Sequence, residues 1–86
     1  MAVDKFSDVP LYRQIAGDLS ARITAGDIEP GGWLPSLRQL TEDYGCSRMT
    51  AERAVHELRA AGAVRGVPGR GVLVLPAPDG AASAQR

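Results

Sequence analysis

Apolar residues recur at helical spacing in the first third of the chain. Between Pro10 and Ala25, Tyr12, Ile15, Leu19 and Ile23 return every three or four residues with Ala16 beside them, while Arg13, Gln14, Asp18 and Arg22 lie mostly elsewhere on the wheel. Pro10 suits a first helical turn and Gly26 suits a stop, so one helix with a single core-packing stripe is predicted. A second helix begins at Ser36 and ends at Gly45, with Leu37, Leu40 and Tyr44 facing the core. Ser36 followed by Gln39 has the form of a capping box: the hydroxyl covers a free backbone N–H and the glutamine reaches back. A third helix starts at its own cap, Ser47, and runs from Arg48 to about Ala61, with Gly62 as its stop. At about 100° per residue, Ala51, Ala54, Val55, Leu58 and Ala61 gather on one side, and Met49, Glu52, Arg53 and His56 on the other.

Past the third helix the pattern changes. Val64 to Val67 reads as a strand, Pro68-Gly69-Arg70-Gly71 as a tight turn, and Val72 to Leu75 as a returning strand. Earlier, the turn-rich connector Asp27 to Gly32 leads into Trp33-Leu34, a candidate for a very short strand. The order predicts a mostly α fold with a small β-hairpin, a winged helix-turn-helix of three helices plus a two-stranded wing over residues 10–75. Residues 1–9 are expected to be a loose leader, and 76–86 a disordered tail or the start of a linker. The second and third helices, separated only by a short break at Gly45, must cross steeply and turn the N-terminus of the third outward. That is the geometry used to enter the DNA major groove.

Composition narrows the function. At 86 residues there is room for one core. No apolar run approaches the roughly 20 residues a membrane-spanning helix needs, and no signal peptide is evident. One cysteine cannot form an internal disulfide, which fits a reducing cytoplasm, and with one histidine it makes a structural zinc site implausible. Net charge is zero, yet unevenly spread. Residues 1–32 carry three bases against five acids, and residues 33–75 carry six arginines against four acids. The basic excess falls where the helix pair sits, and all its bases are arginine, which forks onto phosphate or guanine. Lys5 is the only lysine, so no phosphate-cradling loop with lysine exists, and His56 has no convincing nucleophile and carboxylate beside it. The reading is a non-enzyme that needs no cofactor or metal.

Several linked motifs agree in order and spacing with one family. Pro10-Leu11-Tyr12-Arg13-Gln14-Ile15, Gly26-Asp27-Ile28-Glu29-Pro30-Gly31, Leu34-Pro35-Ser36-Leu37-Arg38-Gln39-Leu40, Ser47-Arg48-Met49-Thr50-Ala51-Glu52-Arg53-Ala54-Val55 and the wing Gly69-Arg70-Gly71-Val72-Leu73-Val74 resemble the DNA-binding domain of GntR-family regulators. The resemblance implies a bacterial transcription factor, usually a repressor, that binds double-stranded DNA at a palindromic operator as a homodimer, at least on DNA. It implies DNA contacts at Ser36 and Arg38, at Ser47, Arg48, Thr50 and Arg53, and at Gly69, Arg70 and Gly71. A small-molecule effector would belong to a C-terminal domain of the kind such regulators append, and none follows the wing in these residues. The chain is therefore either a compact regulator or the DNA-binding piece of a longer one.

Two positions depart from the family pattern. Glu52 stands where arginine is usual and Met49 where threonine is common. A carboxylate there repels phosphate but accepts from cytosine N4, and the thioether can touch a thymine methyl, so both are counted among the DNA-binding residues. Each candidate also has a plainer role. Ser36 and Ser47 cap helices, Arg53 can pair with Glu57, Asp43 or Glu52, Gly69 and Gly71 serve the turn, His56 is solvated, and Cys46 fills the turn as a small buried hydrophobe. The rival class is a winged helix used for protein interaction or dimerisation, favoured by the zero net charge and by Glu52.

Overall fold

The computed structural model describes residues 8–76, so the expectations for 1–7 and 77–86 lie outside the described residues. Three helices and a hairpin follow in the order α1 (Leu11–Thr24), α2 (Leu37–Tyr44), α3 (Arg48–Ala60), β1 (Val64–Val67) and β2 (Gly71–Val74). This is a winged helix-turn-helix. Pro10 precedes α1 as its cap residue instead of occupying its first turn, and its carbonyl accepts from the N–H groups of Arg13 and Gln14. α1 buries Ile15, Ala16 and Leu19, as its stripe requires.

α3 is the central element and packs against both α1 and α2. Ala51 and Ala54 are fully buried; with no side chain beyond Cβ, they let the neighbouring helices approach closely. Leu58 and Val55 complete that face, but Ala61 is exposed, contrary to the sequence expectation. α3 ends one residue earlier, at Ala60, so that Ala61 caps the helix past the last turn that packs on the core, and Gly62 follows with φ 78°. Ile15, Leu19, Leu40, Val64 and Val74 are the large side chains with essentially no exposure, and with Ala51, Ala54 and Leu58 of α3 in the same cluster all three helices and both strands meet in one core. No buried polar side-chain atom among the described residues lacks a partner.

The hairpin pairs Val64 with Val74 and Val67 with Gly71, so the return strand begins at Gly71, one residue before its predicted start. Arg70 N–H closes the turn on the Val67 carbonyl at 2.9 Å. Trp33 bridges Leu73 in antiparallel fashion, and Leu34 N–H donates to Val72 O at 2.9 Å. The short segment expected at Trp33-Leu34 thus laces the wing to the connector leading into α2.

Candidate nucleic-acid interface

Two serines fix the helix starts on which the site is built. Ser36 Oγ accepts from Gln39 N–H at 3.1 Å, and Ser47 Oγ accepts from Thr50 N–H at 3.1 Å. Only half of the expected capping box forms: the Gln39 amide donates to Asp43 Oδ1 at 2.8 Å instead of reaching back to Ser36. The acceptor one turn ahead is charged, and hydrogen bonds to charged acceptors are stronger than those to neutral groups. Ser47 also donates to Thr50 Oγ1 at 3.0 Å, which ties both hydroxyls to the first turn of α3. Between the two helices Gly45 takes the left-handed conformation, φ 61° and ψ 43°, where a side chain would be strained. This residue makes the steep crossing possible.

The fixed starts bring three arginines together. A concavity between the approach to α2, the start of α3 and the wing is lined by Trp33, Ser36, Arg38, Arg48, Arg70 and Gly71. Arg38 comes from α2, Arg48 from α3 and Arg70 from the wing turn. A neighbouring groove holds Met49, Glu52, Arg53, His56 and Tyr12. Met49 is 70% exposed, a large apolar side chain offered outward on the first turn of α3. Gly69 and Gly71 border a further hollow beside the hairpin turn, and Gly69 has φ 76°. Ser47 is exposed and Thr50 half-buried at the start of α3, outside the arginine concavity.

The charges are not left alone. Arg38 Nε lies 3.5 Å from Glu42 Oε2 and Arg48 Nε lies 3.2 Å from Glu52 Oε2, each pair one turn apart on its own helix. All four side chains are more than half exposed, so these are surface pairs worth roughly 0.2–1 kcal/mol, readily exchanged for a better partner. Arg53 does not pair with Glu57, Asp43 or Glu52; its guanidinium lies over the Tyr12 ring, 4.2 Å from the centroid. Sequence reasoning missed this contact because it joins α1 to α3 and leaves no local signal. It also passed over Trp33, whose 45% exposure beside the arginines is a product of tertiary placement. The four-residue spacing of Arg38–Glu42 and Arg48–Glu52 was the available signal for those two pairs.

At the opposite end of α2 from Ser36, a half-buried polar contact ties α2 to α1. Tyr44 O–H donates to Asp18 Oδ2 at 2.6 Å and accepts from Arg22 Nη1 at 3.4 Å. Burial, with the Asp18 hydrogen bond second, pushes the Tyr44 phenol up to about 12. The hydrogen bond to Tyr44 raises the Arg22 guanidinium above its ordinary value. Cys46 is half-buried against the core, with Sγ 4.0 Å from Leu40 O. Among the described residues no cluster of His, Cys, Asp or Glu is placed to hold a metal ion, and no helix is long and apolar enough to cross a membrane.

Known proteins share this fold. The family model for bacterial regulatory proteins of the gntR family matches residues 11–74. The transcriptional repressor NagR of Bacillus subtilis is 38% identical over 74 residues, 86% of this chain and 30% of its own length. The mannosyl-D-glycerate transport/metabolism system repressor MngR of Escherichia coli is 35% identical over 65 residues, 76% of this chain and 27% of its own length. Among solved structures, the GntR-family transcription factor YtrA from Sulfolobus acidocaldarius superposes with a TM-score of 0.80 at 29% identity, covering 96% of this chain and 87% of that one. The DNA-binding domain of AraR in complex with an operator gives 0.75 at 30% identity, covering 86% and 88%. This chain spans less than a third of the length of the first curated relatives, which are named as transcription regulators. These likenesses support the DNA-binding reading over the protein-interaction alternative. Matched over most of its length and in every element of its fold, the chain belongs to the GntR family of bacterial regulatory proteins.

Proposed function

We propose that this chain is the DNA-reading domain of a cytoplasmic bacterial transcription regulator. It acts as a repressor by occupying a palindromic operator as a homodimer, and it catalyses no reaction. The observation that carries this reading is the convergence of Arg38, Arg48 and Arg70, from three different elements, on one concavity at the outward end of α3.

In this reading the first turn of α3 enters the major groove. Arg48 gives up Glu52 for a guanine edge or a phosphate, Met49 meets a thymine methyl, and Glu52 accepts from cytosine N4. Arg38 and Ser36 hold the backbone on one side, with Ser47 and Thr50 at the groove entrance. Arg53 lies over the Tyr12 ring, and its N–H groups stay available to a phosphate. Gly69 and Gly71, lacking side chains, let the wing backbone come close, and Arg70 enters the flanking minor groove. The remaining length of the relatives leaves room for an effector domain, which is where a small-molecule signal would act.

The decisive experiment is selection of binding sites from random duplex DNA, followed by titration of the selected site across salt concentrations. A palindrome recovered from the pool, bound with affinity that falls steeply as salt rises, is the expected result. Recovery of no preferred sequence, or retention indifferent to salt, would overturn the proposal.

A further inference from the structure

Trp33 sits beside the three arginines without an obvious reason to be tryptophan. It is the only tryptophan in the chain. Its partner in the antiparallel bridge is Leu73, yet the bridge uses only backbone, and the next residue, Leu34, is the one that fills the core. The indole instead faces outward, 45% exposed, and lines the concavity with Ser36, Arg38, Arg48, Arg70 and Gly71. A Cβ built on Gly71 would stand 3.6 Å from Trp33 Cε3, so the ring lies along the root of the wing turn. Gly71 has φ 135°, which already favours glycine, and its lack of a side chain leaves that edge of the ring uncovered.

The concavity therefore combines three arginines with an apolar lining of which the indole is the largest and the exposed part. A small inorganic anion would satisfy the arginines and leave the indole wet. An acidic peptide would satisfy the arginines with flexible carboxylates on alternate sides of its backbone. A DNA strand offers both chemistries at fixed spacing: phosphates, and between them the apolar faces of deoxyribose. We propose that Trp33 is a DNA-contact residue, packing its indole on the sugar of the strand segment that runs between the start of α3 and the wing. The inference rests on the DNA-binding reading above. It adds an apolar contact to the backbone beside the one Met49 makes to a base, and it places that contact on the connector segment that bridges to the wing.

The sole tryptophan is its own reporter. With the selected duplex in a band-shift assay and in solution, binding should shift the emission of Trp33 and reduce its quenching by acrylamide several-fold, with the same midpoint by both methods. Trp33→Ala should weaken binding about tenfold, and Trp33→Phe, which keeps an apolar ring, should recover most of that loss; circular dichroism would check that both variants fold. The wild-type accessibility measurement depends on neither variant. Duplex binding with unchanged emission and undiminished acrylamide quenching would overturn the proposal while leaving DNA binding intact. Protection by an acidic peptide but not by the duplex would overturn it in favour of a protein partner. Absence of any duplex binding would remove both this contact and the reading on which it rests, and Arg48→Ala would then have nothing to weaken.

Discussion

Arg48 is held by its own helix. Glu52, one turn further along, takes Nε at 3.2 Å, and Glu42 takes Arg38 in the same way at 3.5 Å. Engagement at Nε leaves the two terminal nitrogens of each guanidinium pointing beyond the carboxylate, which aims the fork while partly cancelling its charge. Arginines cancelled in this way gain little from phosphate alone and more from a base edge that matches the fork. Replacing both acids, Glu42→Gln with Glu52→Gln, is therefore expected to raise affinity for random duplex several-fold and to steepen its salt dependence. Fluorescence anisotropy across a salt series measures both; an unchanged slope would mean the carboxylates do not feel the phosphates. The two arginines should separate by their own substitutions. Arg48→Ala is expected to cost roughly 1–3 kcal/mol on the selected site and to relax preference at one base pair. Arg38→Ala should weaken all sequences alike and lower the salt slope by about one. Competition binding with single-base variants of the site distinguishes these patterns. The four-residue spacing of each pair is legible in the sequence; that the carboxylates take Nε is not, because it is set by side-chain rotamers.

The elements themselves were legible because their signals are local. Ser36, Ser47 and Gly45 announce the start of α2, the start of α3 and the turn between them by their own chemistry, and the alanines of α3 mark its buried face. What escaped was decided by competition or by distant packing. Asp43 took the Gln39 amide from Ser36, α3 ended before Ala61 and left it beyond the core stripe, and the Tyr12 ring of α1 captured Arg53 of α3. The most consequential omission joins α1 to α2: the contact of Tyr44 with Asp18 and Arg22 spans more than twenty residues of sequence. It has a pH signature. The folded phenol, at about 12, lies above its ordinary value near 10, so it stays protonated over a range where the unfolded chain has already ionised. Its contribution is fully present below pH 10 and is lost as pH rises towards about 12. Tyr44→Phe should be less stable than wild type near neutrality and should lose less stability than wild type over that alkaline window. Thermal unfolding of both proteins from pH 8 to 12 tests this; parallel curves would show that the phenol does not carry the effect. At the other end of α2, Ser36→Ala should cost about 1 kcal/mol of stability through loss of the cap, read from urea unfolding.

On the scale of the whole molecule, zero net charge conceals a separation of charge. Arg38, Arg48 and Arg70 share the outward concavity, while Asp18, Asp27 and Asp43 surround Arg22 and Tyr44 at the far end of α2. Along α2, Arg38 and Asp43 lie five residues apart, about 7.5 Å at 1.5 Å per residue, close to the Debye length of about 8 Å at physiological salt. A duplex laid on the concavity stands beyond the arginines and farther from the acidic end than they are, so the attraction is set mainly by one face and not by the sum. Each phosphate neutralised contributes about −0.9 to the slope of log K against log salt. Arg38 and Arg53, the two arginines assigned to phosphate, then give a slope of about −2 per copy on a half-site, and about twice that on a full palindrome if two copies bind. The described body measures 43 × 30 × 21 Å, so two copies fit side by side at the roughly 34–36 Å between half-sites one turn apart when either shorter axis lies along the duplex. Native mass spectrometry should find one chain on a half-site and two on the palindrome, with the doubled slope appearing only on the latter. Asp18→Asn, remote from the concavity, should leave both slopes unchanged while lowering stability through the Tyr44 contact. A slope that follows Asp18 would mean that the molecule behaves as a single net charge and that the outward face does not act alone.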